Sequence, residues 1–214
     1  MDISLSLDRI NFTLKEYDYI FDSNYFIVCE DTTLYGENFI DVTSEWIINA
    51  KPNTHIVKDR KYFEHNGIKY KVDNKNIVLD YSDKEKEVAI WLENTFGGEI
   101  YMLPRINKPD GIQTADYLFR GEYWDLKTIN GKSNQVLFHS IYKKKTQSNN
   151  FIFNIVSPEL NINELQKQIH KLYNRKDTDF LQKVILKKRI ESSSIKEKCD
   201  RTGNSARPHL IYTL

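Results

Sequence analysis

Thr114-Ala-Asp-Tyr-Leu-Phe-Arg-Gly-Glu-Tyr-Trp-Asp-Leu-Lys-Thr-Ile129 is the stretch whose reading decides the fold. It divides into two β-rich runs, Thr114 to Phe119 and Tyr123 to Ile129, around a turn at Arg120-Gly-Glu122. In the second run, side chains alternate between the two faces of a strand. Trp124, Leu126 and Thr128 point one way, and Asp125 and Lys127 the other. Folding the runs about Gly121 sets Asp116 across from position 125 or 126. Two carboxylates then share one patch, with an ammonium beside them. Like charges this close repel, and a hard divalent cation relieves the repulsion. Mg²⁺ is the first expectation, with Mn²⁺ or Zn²⁺ as alternatives. The bland reading of Asp125-Leu-Lys127 alone is an ordinary surface charge pair, which is common and weak. Asp116 on the partner strand argues against it.

The flanking sequence extends the pattern. Ser82-Asp-Lys-Glu85 has the form of a capping box, and Val88, Ala89, Leu92 and Phe96 follow at helical spacing up to Gly97-Gly98. Glu99 to Leu103 reads as a strand, and Pro104 to Gly111 as a loop. Lys132 to Gln147 reads as loop plus helix, Phe151 to Val156 as a strongly apolar strand, a segment after Asn161 or Asn163 as a helix, and Phe180 to Arg189 as a last strand. Lys69 to Val72 and Ile77 to Asp80 look like a hairpin around Asp73-Asn74. Alternation of this kind indicates an α/β layer fold.

Charge is distributed unevenly. Residues 1–50 hold ten acids and two bases, a net of −8, whereas residues 141–214 hold fifteen bases and seven acids, a net of +8. A basic C-terminal third suits a polyanion such as nucleic acid. The plain alternative is a lysine-rich solvated surface. No run approaches a membrane span, the N-terminus lacks a signal-peptide pattern, and Cys29 and Cys199 make no CxxC pair. The expected organisation is an acidic N-terminal module at 1–60, a catalytic domain at 61–190 and a basic tail at 191–214.

Asp116 followed by Asp125-Leu-Lys127, in a helix–strand–strand–strand–helix–strand order, resembles the PD-(D/E)XK nuclease superfamily. The expected core is therefore a helix, a three-stranded antiparallel meander, a helix and a further strand. More narrowly, Glu85-Lys-Glu-Val-Ala-Ile-Trp-Leu92, Gly97-Gly98, Leu103-Pro-Arg-Ile106, Thr114-Ala-Asp-Tyr-Leu118 and Trp124-Asp-Leu-Lys127 look like the C-terminal toxin domain of CdiA-type contact-dependent inhibition proteins. One departure is Ala115, where the superfamily name has proline.

The resemblance implies a metal-dependent endonuclease, with tRNA favoured over DNA as substrate. It also implies a cognate immunity protein as partner and action in the cytoplasm of a target cell after secretion or delivery. The rivals are a DNase of the same fold and a non-catalytic nucleic-acid-binding or phage structural protein. The catalytic set is Glu85, Asp116, Asp125 and Lys127, and the metal set Asp116, Asp125 and Glu85. Glu85 also suits the capping box, and Glu87 is the alternative helix acid. Arg105, Lys143, Lys144, Lys145 and Gln147 are weaker candidates for phosphate contacts. His139 is a candidate proton carrier that more readily reads as structural. Tyr101, Tyr117, Tyr123 and Trp124 are candidate base-stacking rings that equally read as packing.

Overall fold

The computed structural model describes residues 24–32, 39–144 and 146–189. In chain order the elements begin with β1 (Asn24–Asp31), β2 (Phe39–Asp41), α1 (Thr43–Ile48), β3 (Val57–Asp59), β4 (Tyr62–His65), β5 (Ile68–Lys71) and β6 (Ile77–Val78). They continue with α2 (Asp83–Phe96), β7 (Ile100–Met102), β8 (Arg105–Ile106), β9 (Tyr117–Phe119), β10 (Glu122–Ile129) and α3 (Val136–Ile141). The last are β11 (Asn150–Ile155), α4 (Ile162–Tyr173) and β12 (Lys183–Arg189).

Eight strands form one sheet in the order β2-β1-β12-β11-β10-β9-β7-β3. Strand β9 runs antiparallel to both β7 and β10, forming a meander, whereas β10, β11 and β12 run parallel, as do β3 and β7. Helices cover both faces. On one, α1 and α2 bury Trp46, Val88, Leu92 and Phe96 against Val28, Trp124, Ile152 and Ile185. On the other, α3 and α4 bury Leu137, Ile141, Leu165 and Ile169 against Phe151, Phe153, Val184 and Leu186. Phe151, Ile152 and Phe153 are all fully buried, because a central parallel strand has no solvent face. The result is a mixed α/β fold with a mostly sheet core.

Local signals account for α2. Glu85 N–H donates to Ser82 Oγ at 3.3 Å, and the Glu85 carboxylate accepts from the Ser82 N–H, completing the capping box. At the other end Gly97 has φ +70°, and a Cβ there would lie 1.7 Å from the Lys51 carbonyl oxygen, so only glycine fits. Asn161, rather than Asn163, caps α4, its Oδ1 accepting from Glu164 N–H at 2.9 Å.

Four expectations need correction. The chain does not divide at residue 60. Strand β1 lies inside the large sheet between β2 and β12, with Cys29 across from Val184, and Phe26 and Val28 share a core with Trp124. The run Phe26-Ile-Val-Cys29 is buried throughout, as an interior strand requires. Residues 1–23 of the expected N-terminal module and the expected tail at 191–214 lie outside the described residues. Second, Lys69–Val72 does not pair with Ile77–Asp80. Strands β4 and β5 form their own ribbon, and Ile77 pairs with Ile106. Asp73 Oδ1 accepts from Lys75, Asn76 and Ile77 N–H at 2.8, 2.7 and 2.9 Å, holding the chain in a loop that redirects it. Third, the regular ladder of β9 begins only at Tyr117, and α3 spans only Val136–Ile141. Fourth, β12 starts at Lys183 rather than Phe180, and its Val184, Ile185 and Leu186 are all buried, as in an interior strand.

Candidate active site

The β9–β10 turn sets the site. Arg120 and Gly121 have φ +53° and +79°, the pair of positive values that a tight two-residue hairpin turn requires. The ladder places Glu122 across from Phe119, Tyr123 from Leu118 and Trp124 from Tyr117. One further step along that register brings Asp116 opposite Asp125. Asp116 N–H donates to the Trp124 carbonyl at 3.0 Å, and Leu126 N–H donates to Asp116 Oδ2 at 2.6 Å. The first aspartate is thus oriented by the backbone of the strand that carries the second.

Asp125 is fully buried, at 0% exposure. Lys127 Nζ forms an ion pair with its Oδ2, yet neither carboxylate oxygen receives a hydrogen bond of ordinary geometry among the described residues. A buried carboxylate in this state is expensive unless something else completes it. Burial pushes its carboxyl above the usual range, while the charge of Lys127, contact with Lys127 and Asp116, and the charge of Lys144 pull back. Asp116 is pushed up to about 7, first by burial and then by the negative charge of Asp125, with a smaller push from Glu85. The Leu126 N–H and Lys127 act the other way. Two adjacent acids, one raised by the other's charge and the other with a buried Oδ1 that has no hydrogen-bond partner among the described residues, suit a hard divalent cation that takes one or two carboxylates and fills its other positions from water and phosphate. Among the described residues, no three His, Cys, Asp or Glu side chains gather closely enough to hold a metal ion. The fit therefore rests on Asp116 and Asp125.

Glu85 stands apart from that pair. Its carboxylate is occupied by the Ser82 N–H and by Arg105 Nη2, the latter at 2.9 Å. Its charge still reaches Asp116, and its carbonyl accepts from the Tyr117 hydroxyl at 2.8 Å, which ties the start of α2 to β9. Glu87 is exposed and faces Lys187 at 3.8 Å. Arg105 is the partner of Glu85. Gln147 Nε2 donates to the Thr114 carbonyl at 2.9 Å, and its buried Oε1 has no hydrogen-bond partner among the described residues. Lys144 is half-buried, Lys143 is exposed beside the Tyr142 ring, and Lys145 lies outside the described residues. His139 is exposed, its ring edge-on to Tyr142 at 6.1 Å.

Of the four aromatic candidates, Trp124 and Tyr117 are fully buried and belong to the core. Tyr101 donates to Glu99 Oε2 at 2.9 Å, and Tyr123 packs on Phe63 at 5.5 Å. Sequence reading missed Ser148 and Asn150, which donate to the Tyr123 carbonyl at 2.8 and 3.0 Å and brace the motif strand. Contacts across 25 and 27 residues leave no local signal.

Residues 113–191 match the family model of the contact-dependent growth inhibition CdiA C-terminal domain. The matched region is well under half of the chain. It holds Asp116, Asp125, Lys127, Lys143, Lys144 and Gln147, and leaves out Glu85 and Arg105. No curated protein and no solved structure matches the chain. Among the described residues no helix is long and apolar enough to cross a membrane.

Proposed function

We propose that this chain is a metal-dependent endonuclease of the PD-(D/E)XK type, a contact-dependent toxin that hydrolyses phosphodiester bonds in RNA, tRNA first. The observation that carries the reading is Asp125: a fully buried carboxylate, beside Asp116 and ion-paired with Lys127 through Oδ2, whose Oδ1 has no hydrogen-bond partner among the described residues. Surface pairs do not require such burial. The family similarity, which spans all three residues, supports the same conclusion and adds the toxin role.

Asp116 and Asp125 would hold a divalent cation, Mg²⁺ first and Mn²⁺ or Zn²⁺ otherwise. When bound there, it supplies Lewis-acid stabilisation to the scissile phosphate. Lys127 keeps an ammonium beside Asp125 and offsets negative charge as it builds on the phosphoryl oxygens. Leu126 N–H fixes the orientation of Asp116. Glu85 is the third acid of the set, acting on Asp116 by charge from the start of α2. Lys144 and Gln147 lie on the segment that borders the pair, and Lys144 contributes positive charge at Asp125. The partners are then nucleic acid and a cognate immunity protein that blocks the site, and the place of action is the cytoplasm of a target cell.

The test is cleavage. Purified chain is incubated with total tRNA and with duplex DNA, each with Mg²⁺ and with EDTA, and the products are mapped. Mg²⁺-dependent tRNA fragments are expected. Cleavage of DNA alone moves the substrate assignment, and cleavage that persists in EDTA or in Asp125→Ala removes the mechanism.

A further inference from the structure

The β4–β5 ribbon is not used by the site described above, although it is built against it. Its register pairs Phe63 with Tyr70, and a tight turn at Asn66 and Gly67, with φ +50° and +74°, closes it. One face of the ribbon is apolar. Phe63 packs on Tyr123 at 5.5 Å and joins a cluster with Leu103, Ile106 and Ala115. Tyr123 lies two residues before Asp125 on the same strand face, and Ala115 precedes Asp116. The ribbon is therefore seated on the sheet directly beside the two aspartates. Its base is anchored by Arg60 N–H, which donates to the Met102 carbonyl at 2.9 Å, and by Val72 N–H, which donates to the Lys61 carbonyl at 3.0 Å.

The other side is basic and aromatic. Between residues 58 and 75 the chain has six Lys or Arg and three acids. Lys69 Nζ sits over the Tyr62 ring at 3.6 Å, and the Arg60 guanidinium lies 4.6 Å from the same ring, with Nη2 donating to the Tyr62 hydroxyl at 3.2 Å. The Arg60 guanidinium and Lys58 Nζ each lie 5.8 Å from the Tyr101 ring. Lys58 is neutralised by Glu99 at 2.7 Å. Arg60 and Lys69 have no carboxylate within ion-pair distance among the described residues, even though Glu64 stands across the ladder from Lys69. Two cations without acid partners among the described residues are thus held in place by the Tyr62 ring, on a ribbon whose opposite face packs on the motif strand through Phe63 and Tyr123. Oriented ammonium and guanidinium groups take phosphate, and a guanidinium plane also stacks on an unpaired base.

We propose that this ribbon is a second nucleic-acid contact, in which Arg60 and Lys69 grip the phosphodiester backbone of a single-stranded stretch to one side of the scissile bond. The inference rests on the nuclease reading and deepens it.

Binding is measured separately from cleavage. In the Asp125→Asn background, full-length chain is titrated into a labelled single-stranded RNA of about 15 nucleotides, and into the same DNA sequence, over a range of salt. The double variant Arg60→Glu/Lys69→Glu is expected to bind at least ~10-fold more weakly, and its log–log salt slope to flatten by about 1.4, the share of two single-strand phosphate contacts. In the otherwise wild-type chain the same double variant raises KM and leaves kcat unchanged. The swap Arg60→Lys/Lys69→Arg retains binding. Lys167→Glu, a charge reversal of the same kind on α4, leaves affinity as it was. Affinity within about twofold of the parent with an unchanged slope overturns the proposal, as does an equal loss in Lys167→Glu, which marks a diffuse charge effect. A chain that binds RNA through the ribbon yet cleaves nothing supports this inference and sinks the nuclease reading alone. A chain that cleaves with unaltered KM after the double reversal does the opposite.

Discussion

The two faces of β10 carry opposite physical tasks. Trp124 and Leu126 point toward α2, where Trp124 is fully buried among Trp46, Phe96 and Phe119, with its Nε1 donating to the Phe119 carbonyl at 3.2 Å. Asp125 and Lys127 point the other way, one fully buried and one half-buried, where burial works against the charge. Residues one position apart therefore differ in what they do to stability. The aromatic face holds the strand rigid, and that rigidity keeps an unfavourable carboxylate pair in place. A site that is costly in isolation persists because the same strand contributes more on its other side.

The largest test of this contrast is Asp125→Asn. Cleavage is expected to fall on the order of 1000-fold or more, and the melting temperature in EDTA to stay level or rise, since a buried charge has been removed. Loss of the fold in this variant would break the contrast. Trp124→Ala is its mirror. It should lower stability by about 3–5 kcal/mol, read from urea midpoints, and leave the metal dependence of whatever folded protein survives unchanged. Glu85→Gln separates two tasks of one residue. Glutamine still serves a capping box, so the midpoint should move by less than about 1 kcal/mol. If its charge belongs to the site, cleavage falls by roughly 10- to 100-fold. Unaltered cleavage would leave Glu85 a cap and an ion-pair partner for Arg105 only.

The smallest effect concerns Asp116. Its folded pKa lies near 7, above the ordinary value of 3.8, so the folded state holds this proton more tightly than the unfolded chain. Its stabilising contribution is complete below 3.8 and is lost as pH rises through about 7. Without divalent cation the wild type should therefore lose a few degrees of melting temperature between about pH 5 and pH 8, relative to Asp116→Asn. Added Mg²⁺ should narrow the gap. Identical slopes in the two proteins would mean that the Asp116–Asp125 repulsion is not felt.

The parts of this arrangement that were legible in the sequence are those with local causes. Ser82 and Glu85 announce the start of α2, Gly97 its end, and Arg120-Gly-Glu122 a turn that brings Asp116 across from position 125 or 126; that Glu122 already pairs with Phe119, which selects Asp125, is seen only in the ladder. The places of β1 and β6 were not legible. Nothing in Phe26 to Cys29 says that its ladder partner is Val184 to Lys187, and nothing in Ile77 says that it pairs with Ile106 rather than with the strand just before it. Strand pairing at long range is decided by which apolar faces remain uncovered, a property of the assembled sheet. The apolar ladder and the charged pair of β10 followed from alternation alone. That Asp125 would be completely buried did not, because nothing within Tyr123 to Ile129 says what packs over that face of the strand.

Strand β1 also bears on the time course of folding. It is paired along Asn24 to Glu30 with Arg189 to Lys183, so a ribosome delivers the first strand of this ladder long before the other exists. Until then, the apolar edge of β1 has only the three-residue β2 to lie against. Such a separation makes for slow closure and an exposed edge in the waiting chain, the condition under which chaperones are recruited. The β9–β10 hairpin is compact and local, and can form early. The sheet that holds it still cannot close until the last described strand has been made.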